Sequence, residues 1–392
     1  MAKKRSRTVL ASVLALALVA AMVTGCAKNT STTGGGTKTL KIGVHTSLTG
    51  DLADYGFTAQ EGIKLANTQT PEVTVGGSTY KIELIIKDDK MDPAESSIVA
   101  QSLVDAGVVA VIGALTSGST NAAGPIYNQA GVIEITPSAT RADLVTKGWS
   151  MFFRTCVGDN FQGAELAKWI QELGFKKVVI FDDSSDYSRG LADVVEQNLK
   201  GTTVATNRQS AKDTDTDFSA QITNIKAFVA DCVVFTGYHK QAGILRKQMV
   251  EAGLEKVQLM GGDGVKSDEI AAEAGGAANA KGMLCTLGGV NPADMPGYAK
   301  FTSDYKTATG KDPGPYAETN HDAYVAIVGA IKKADSVKPA DIATALKDTE
   351  FNGVMGTFGF NAQGEIVMKG ASAQLQTIFR YKFDGKTWVE AK

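Results

Sequence analysis

From Leu40 onward, short apolar runs alternate with longer stretches of helical periodicity, and this alternation limits the fold of the 392-residue chain more than any other feature. The strand candidates are Lys41–His45, Ile82–Lys87, Val108–Gly113, Val132–Thr136, Lys177–Phe181, Val233–Phe235 and Val257–Met260. Between them lie helices with readable ends. Asp92-Pro93-Ala94-Glu95 offers a capping side chain, a proline in the first turn and an acid at the third position, which predicts a helix to about Ala106 that Gly107 closes. Asp159 is expected to cap a helix running to Leu173, which Gly174 ends in the left-handed conformation. Another helix is expected from about Gln241 to Ala252, ahead of Gly253. Strands and helices alternating at these lengths predict an α/β fold, with parallel sheets covered by helices on both faces. The number of strands predicts two such doubly wound sheets.

In open sheets of this kind, ligands bind beyond the carboxyl ends of the strands, where loops feed helix N-termini. Val108–Gly113 is followed by Ala114-Leu115-Thr116-Ser117-Gly118-Ser119-Thr120-Asn121, a turn rich in hydroxyls and glycine that opens a helix. Unpaired N–H groups, hydroxyls and the helix dipole together suit an anion. Val132–Thr136 is followed by Pro137-Ser138-Ala139-Thr140. Either cluster alone reads as helix capping. Two at successive strand ends lie side by side in a sheet, and together they predict a carboxylate site. In the second half, the strand ends carry Asp182-Asp183-Ser184-Ser185-Asp186-Tyr187, Thr236-Gly237-Tyr238-His239 and Gly261-Gly262-Asp263-Gly264. An acid among glycines is commonly a turn former, but in a dry cleft it would also hold an ammonium group.

Several chemistries are excluded. Gly264-Val265-Lys266-Ser267 lacks the glycine that a phosphate-binding loop places before lysine, and Thr309-Gly310-Lys311-Asp312 lacks its Ser or Thr. There is no Gly-x-Ser-x-Gly elbow. His45, His239 and His321 have no metal-type spacing, so no metal and no cofactor is expected. An exported α/β enzyme would need a nucleophile, base or metal constellation that the sequence lacks. The net charge is −2, from 40 basic and 42 acidic residues, and no basic block interleaves with aromatics, which excludes nucleic acid as a partner. Cys156, Cys232 and Cys285 cannot close a full disulfide framework, and the last two sit in apolar runs where a thiol acts as a small hydrophobe.

The N-terminus fixes the compartment. Lys3, Lys4, Arg5 and Arg7 precede an apolar run from Val9 to Val23 that ends in Val23-Thr24-Gly25-Cys26. A basic head, a short apolar core and a small-residue end make residues 1–25 a secretory signal peptide. The stretch Val23-Thr24-Gly25-Cys26 resembles a bacterial lipobox, which makes Cys26 the lipidated first residue of the mature chain. Residues 26–37 form a Gly/Ser/Thr spacer with nothing to bury. The expected protein is therefore extracytoplasmic and lipid-anchored to the cell membrane.

An ordered series of motifs resembles the solute-binding proteins for leucine, isoleucine and valine that feed ATP-driven importers. It runs through Ser47-Leu48-Thr49-Gly50 with Tyr55-Gly56, Lys87-Asp88-Asp89 with Asp92-Pro93, and Ile112-Gly113 with Thr116-Ser117-Gly118-Ser119-Thr120. Ile135-Thr136-Pro137-Ser138-Ala139-Thr140, Phe153-Arg154-Thr155, Asp186-Tyr187, Gly237-Tyr238-His239, Gly261-Gly262-Asp263-Gly264-Val265 and Val354-Met355-Gly356 follow. The resemblance implies a type I periplasmic-binding-protein fold, with two lobes joined by a three-stranded hinge. One lobe is residues 38–157 plus 288–370, and the other is 158–287 plus 371–392. It also implies that Ser117 and Thr140 hold the ligand carboxylate. The ammonium falls to the Ser138 carbonyl, the Thr140 hydroxyl and Asp263, while Tyr55, Tyr187 and Tyr238 line the cleft. The partners implied are a branched-chain amino acid, an ABC permease with its ATPase, and the membrane through the anchor, with the chain acting as a monomer. Two departures stand out: the far-lobe acid is often Glu and here is Asp263, and a disulfide of some relatives is replaced by Asp89 and Thr116. A ligand-sensing receptor subunit of the same fold, or a binding protein for an amide, urea or an aromatic acid, are the alternative readings.

Overall fold

The computed structural model describes residues 38–374 and 377–391, so the expected leader, Cys26 and the 26–37 spacer lie outside the described residues. The first sheet contains β1 (Lys38–Thr46), β2 (Glu72–Val75), β3 (Ser78–Asp88), β4 (Ala110–Ile112), β5 (Ile133–Thr136) and β6 (Phe152–Arg154), in the order β2-β3-β1-β4-β5-β6. Its central strands β1, β4 and β5 are largely buried on both sides because helices cover both faces. Ile42, Val44, Ile112 and Ile135 pack on one face with Ile63 and Ala66 of α1 (Ala53–Gln69). Val111, on the other face, packs with Leu103 of α2 (Pro93–Asp105) and Tyr127 of α3 (Ser117–Ala130). The expected start of α2 is present: the Asp92 carboxylate accepts from Ala94 N–H at 2.7 Å, and Pro93 is the first helical residue.

The second sheet contains β7 (Lys177–Asp182), β8 (Ala205–Ser210), β9 (Cys232–Phe235), β10 (Gln258–Gly261), β11 (Leu284–Gly289), β15 (Thr377–Phe383) and β16 (Trp388–Glu390), in the order β16-β15-β11-β10-β9-β7-β8. On one face, α4 (Asp159–Glu172) and α5 (Asp186–Leu199) bring Leu166, Ile170, Leu191 and Val195 against Val178, Ile180 and Val234. On the other, α6 (Ser219–Phe228) and α7 (His239–Glu251) bring Ile225, Leu245 and Met249 against Val179, Phe181 and Val233.

The helices α8 (Tyr298–Thr309), α9 (Ala317–Ala334) and α10 (Pro339–Asp348) share the first sheet's core, as does a small antiparallel sheet of β12 (Phe351–Gly353), β13 (Gly356–Phe360) and β14 (Ile366–Met368). The chain therefore passes between the two sheet bodies three times: after β6, after β11 and after β14.

The structure corrects the expectation of purely parallel sheets. β2 pairs antiparallel with β3, and β15 and β16 add an antiparallel edge to the second sheet. A chain returning through a hairpin, or arriving from the other body, carries no helical crossover, which a parallel neighbour requires. Cys156, Cys232 and Cys285 are free and buried. The assignment of Asp159 as a cap is also corrected. Gly158 is the N-cap, with no side-chain cap bond, and Asp159 is the first helical residue. Its carboxylate is thereby released for another role.

Candidate functional site

The carboxyl ends of β1, β4 and β5 in one body face those of β7, β9 and β10 in the other, and their loops enclose a cavity. Its polar wall comes from Thr116, Ser117 and Ser138. Thr116 caps α3 by accepting from Ser119 N–H at 3.1 Å. The two N–H groups ahead of that bond have no acceptor within the helix, so a buried hydroxyl and a positive dipole end point at the cavity together. The Ser117 hydroxyl accepts from Arg141 N–H at 3.3 Å, and the Ser138 hydroxyl donates to the Leu115 carbonyl at 2.7 Å, which ties the two serine loops together.

The apolar wall is Leu52 and Leu115 with the rings of Tyr55, Tyr187, Tyr238 and Tyr316. Tyr187 and Tyr238 lie 5.2 Å apart, ring centre to ring centre. The opposite end is closed by Asp263, which is 4 % exposed. Tyr187 donates to its Oδ1 at 3.0 Å, and Tyr316 donates to its Oδ2. Tyr55 donates to the carbonyls of Asp263 (3.2 Å) and Lys266 (2.9 Å), so three tyrosines hold this one turn.

Burial raises the Asp263 pKa, against the lowering effect of the Tyr316 and Tyr187 hydroxyls. Beside it, Asp159 is fully buried, and the Thr140 hydroxyl is the neutral group that faces its carboxylate. Burial first, then the charge of Asp263, pushes Asp159 well above the usual carboxylate range. Gln162 and Thr140 are buried there as well. An ionised carboxylate in a dry site is costly unless it is paired. This end of the cavity therefore suits a cation with several hydrogens to donate.

Of the residues singled out in the sequence, the structure places Tyr55, Ser117, Ser138, Tyr187, Tyr238 and Asp263 on the cavity wall. Thr140 is buried but not on that wall. Tyr316 was missed. It precedes α9 at φ +67°, a conformation that is an outlier for a bulky side chain. Strain of this kind persists where surrounding structure over-determines it, here through the bond to Asp263. Its loop, Gly314-Pro315, follows no strand, so a search of strand ends passes over it. Asp89, at one of the two positions where relatives form a disulfide, is instead held by Ser47 Oγ at 2.6 Å and His45 Nε2 at 3.3 Å. Burial would raise its pKa, but the bond and charge of His45 bring it down to about 2.

Residues 39–378 match the family model described as periplasmic binding protein. The chain is 34 % identical over 332 residues to the leucine-, isoleucine-, valine-, threonine- and alanine-binding protein of Pseudomonas aeruginosa, covering 84 % of this chain and 87 % of that one. Among solved structures, it is similar to a leucine-binding protein of Thermotoga maritima, with TM-score 0.81, 28 % identity and coverage of 90 % and 98 % of the two chains. It is also similar to a branched-chain amino acid transporter substrate-binding protein of Streptococcus pneumoniae in complex with isoleucine. There the TM-score is 0.78, the identity 29 % and the coverage 90 % and 100 %.

Proposed function

The chain belongs to the periplasmic binding protein family, and from that premise we propose that it captures leucine, isoleucine or valine between two lobes and delivers it to an ABC importer. The protein is extracytoplasmic, and among the described residues no helix is long and apolar enough to cross a membrane. In this reading, residues 38–157 with 288–370 form one lobe and residues 158–287 with 371–392 the other, and the three chain passages act as the hinge.

The polarity of the cavity supports an amino acid. The ligand carboxylate takes the start of α3, with Ser117 and the Ser138 loop around it. The ammonium takes Asp263 and the Ser138 carbonyl, with the Thr140 hydroxyl and the buried Asp159 behind them. The aliphatic side chain lies against Leu52, Leu115 and the tyrosine rings. The observation that carries the reading is the buried Asp263, with the buried Asp159 near it, in a cavity that also holds the hydroxyls of Thr116, Ser117 and Ser138. A zwitterion satisfies both ends, whereas a simple acid leaves two carboxylates buried against each other.

Calorimetry with leucine, isoleucine and valine tests this. One ligand per chain without turnover is expected, and heat from a dicarboxylate or an amide but from none of these three overturns it. The anchor belongs to the same proposal: Cys26 is lipidated, the 26–37 spacer holds the body off the membrane, and the chain works as a monomer.

A further inference from the structure

His239 is the first residue of α7, is 1 % exposed, and has no hydrogen-bond partner on either ring nitrogen. One face of its ring stacks on Tyr55, with ring centres 5.8 Å apart and planes 7° from parallel. Its Nε2 faces Asp54 Oδ1 at 3.6 Å, and that oxygen also lacks a hydrogen-bond partner. Ser267 donates to the other oxygen, Asp54 Oδ2, at 3.0 Å, which turns Oδ1 toward the imidazole. Glu269 completes the group: one ligand atom from each of Asp54, His239 and Glu269 lies within 4.8 Å of the others.

We propose that Asp54, His239 and Glu269 bind a zinc-class divalent ion that staples the two sides of the cleft. Zinc ligands at about 2.0–2.2 Å in tetrahedral geometry stand roughly 3.4 Å apart, close to the His239–Asp54 separation. The imidazole selects against magnesium and calcium, which prefer all-oxygen sites. Two carboxylates balance the charge of the ion, and the Ser267 bond orients one of them, as outer partners of metal ligands do.

The ion also has a way in. Asp54, Ser267 and Glu269 line a second, open cavity that is larger than the ligand cavity. Two lysines also line it, Lys266 with its ammonium over Tyr381 and Lys311 with its ammonium over Phe57. Asp54 comes from α1 in one body, while His239 and Glu269 come from the other, so the full ligand set exists only with the cleft closed. Through the stacked Tyr55, which lines the ligand cavity, the staple adjoins the amino acid. Its three ligands are separated by 185 and 30 positions in the chain, which is why histidine spacing gives no sign of it.

The stapling consequence rests on the two-lobe reading, whereas zinc binding is read separately, so failure of one is distinguishable from failure of the other. Zinc chloride titrated into chelator-stripped protein should bind at one ion per chain. Asp54→Asn and Glu269→Gln should each weaken it at least tenfold, and Glu269→Gln should keep wild-type leucine affinity in chelator. Leucine release from the wild-type protein should slow when zinc is added, and that of Glu269→Gln should not. Absence of zinc binding, or zinc affinity within threefold of wild type in both variants, overturns the site. Zinc that binds without slowing leucine release overturns the staple.

Discussion

In the proposed binding mode, ligand recognition turns on Asp263 and Asp159, and their burial gives each a distinct signature. Removing one member of a buried, hydrogen-bonded charge pair costs about 2–5 kcal/mol, much of it from stranding the other charge. Asp263→Ala should therefore weaken leucine binding by roughly 30-fold or more, at about 1.4 kcal/mol per tenfold. If Asp263 only shaped its turn, the variant would melt lower yet bind leucine nearly as before, and calorimetry separates the two. Ser117→Ala should cost less, about 1–3 kcal/mol, because the helix N–H groups stay in place. The pH dependence follows from the raised pKa of both acids. In the unfolded chain they ionise in the usual range, so as pH climbs from there to the raised folded values their burial progressively lowers stability, and the penalty remains above those values. An ammonium ligand favours the ionised form, so binding should release protons and affinity should rise with pH through the raised range. Calorimetry in two buffers of different ionisation enthalpy measures that release, and Asp159→Asn should reduce it. Proton uptake on binding would contradict the arrangement.

At the scale of elements, the site exists because helices start hard against strand ends. A Cβ on Gly56, in the first turn of α1, would lie 1.8 Å from the Ser47 carbonyl at the end of β1. Glycine there lets α1 approach closely enough to aim Leu52 and Tyr55 into the cavity. Gly56→Ala should lower stability by about 1–3 kcal/mol and weaken leucine binding as well, seen as a drop in thermal midpoint and in calorimetric affinity. The same close junctions decided what could be read from sequence. The core strands β1, β4, β5, β7, β9 and β10 were legible as apolar runs because both of their faces are covered, and the half-buried β3 through its run Ile82–Ile86. Edge strands were not: β8 is Ala-Thr-Asn-Arg-Gln-Ser and largely solvated, so it has no apolar run to detect. The β2–β3 hairpin did leave a signal, Gly76-Gly77, with both residues at positive φ as a tight hairpin turn requires. Loops after core strands pointed to most of the cavity, including Asp263. Tyr316 escaped because its loop leads from α8, and Asp159 was read as a cap because an acid ahead of a helix usually caps it.

For the whole molecule, the buried bonds from Tyr55 and Tyr316 to the Asp263 turn span the cleft at its centre, and the contacts at its rim are modest. Arg141 reaches Asp186 at 3.1 Å, Asn121 reaches the same side chain at 3.0 Å, and Lys240 meets Asp51 at 2.5 Å. Partly exposed pairs of this kind contribute about 0–1 kcal/mol each, so the rim adds little. In the proposed binding mode a ligand at 100 times its Kd stabilises the form it binds by about 2.7 kcal/mol, and the melting temperature should rise with leucine concentration. None of the proposed ligand contacts falls in residues 26–37, so location and binding should be separable properties of the chain. A Gly/Ser/Thr-rich stretch of a dozen residues would, as random coil, reach about 20 Å, enough for the proposed tether to keep the body near the membrane. The acyl chains on Cys26 would hold it there, at about 0.8 kcal/mol for each buried methylene. Cys26→Ala should therefore move the protein from the membrane to the soluble fraction and leave its calorimetric leucine affinity unchanged. Retention of that variant in the membrane fraction would place the anchor elsewhere in the chain, and a change in its leucine affinity would mean that the tether takes part in binding.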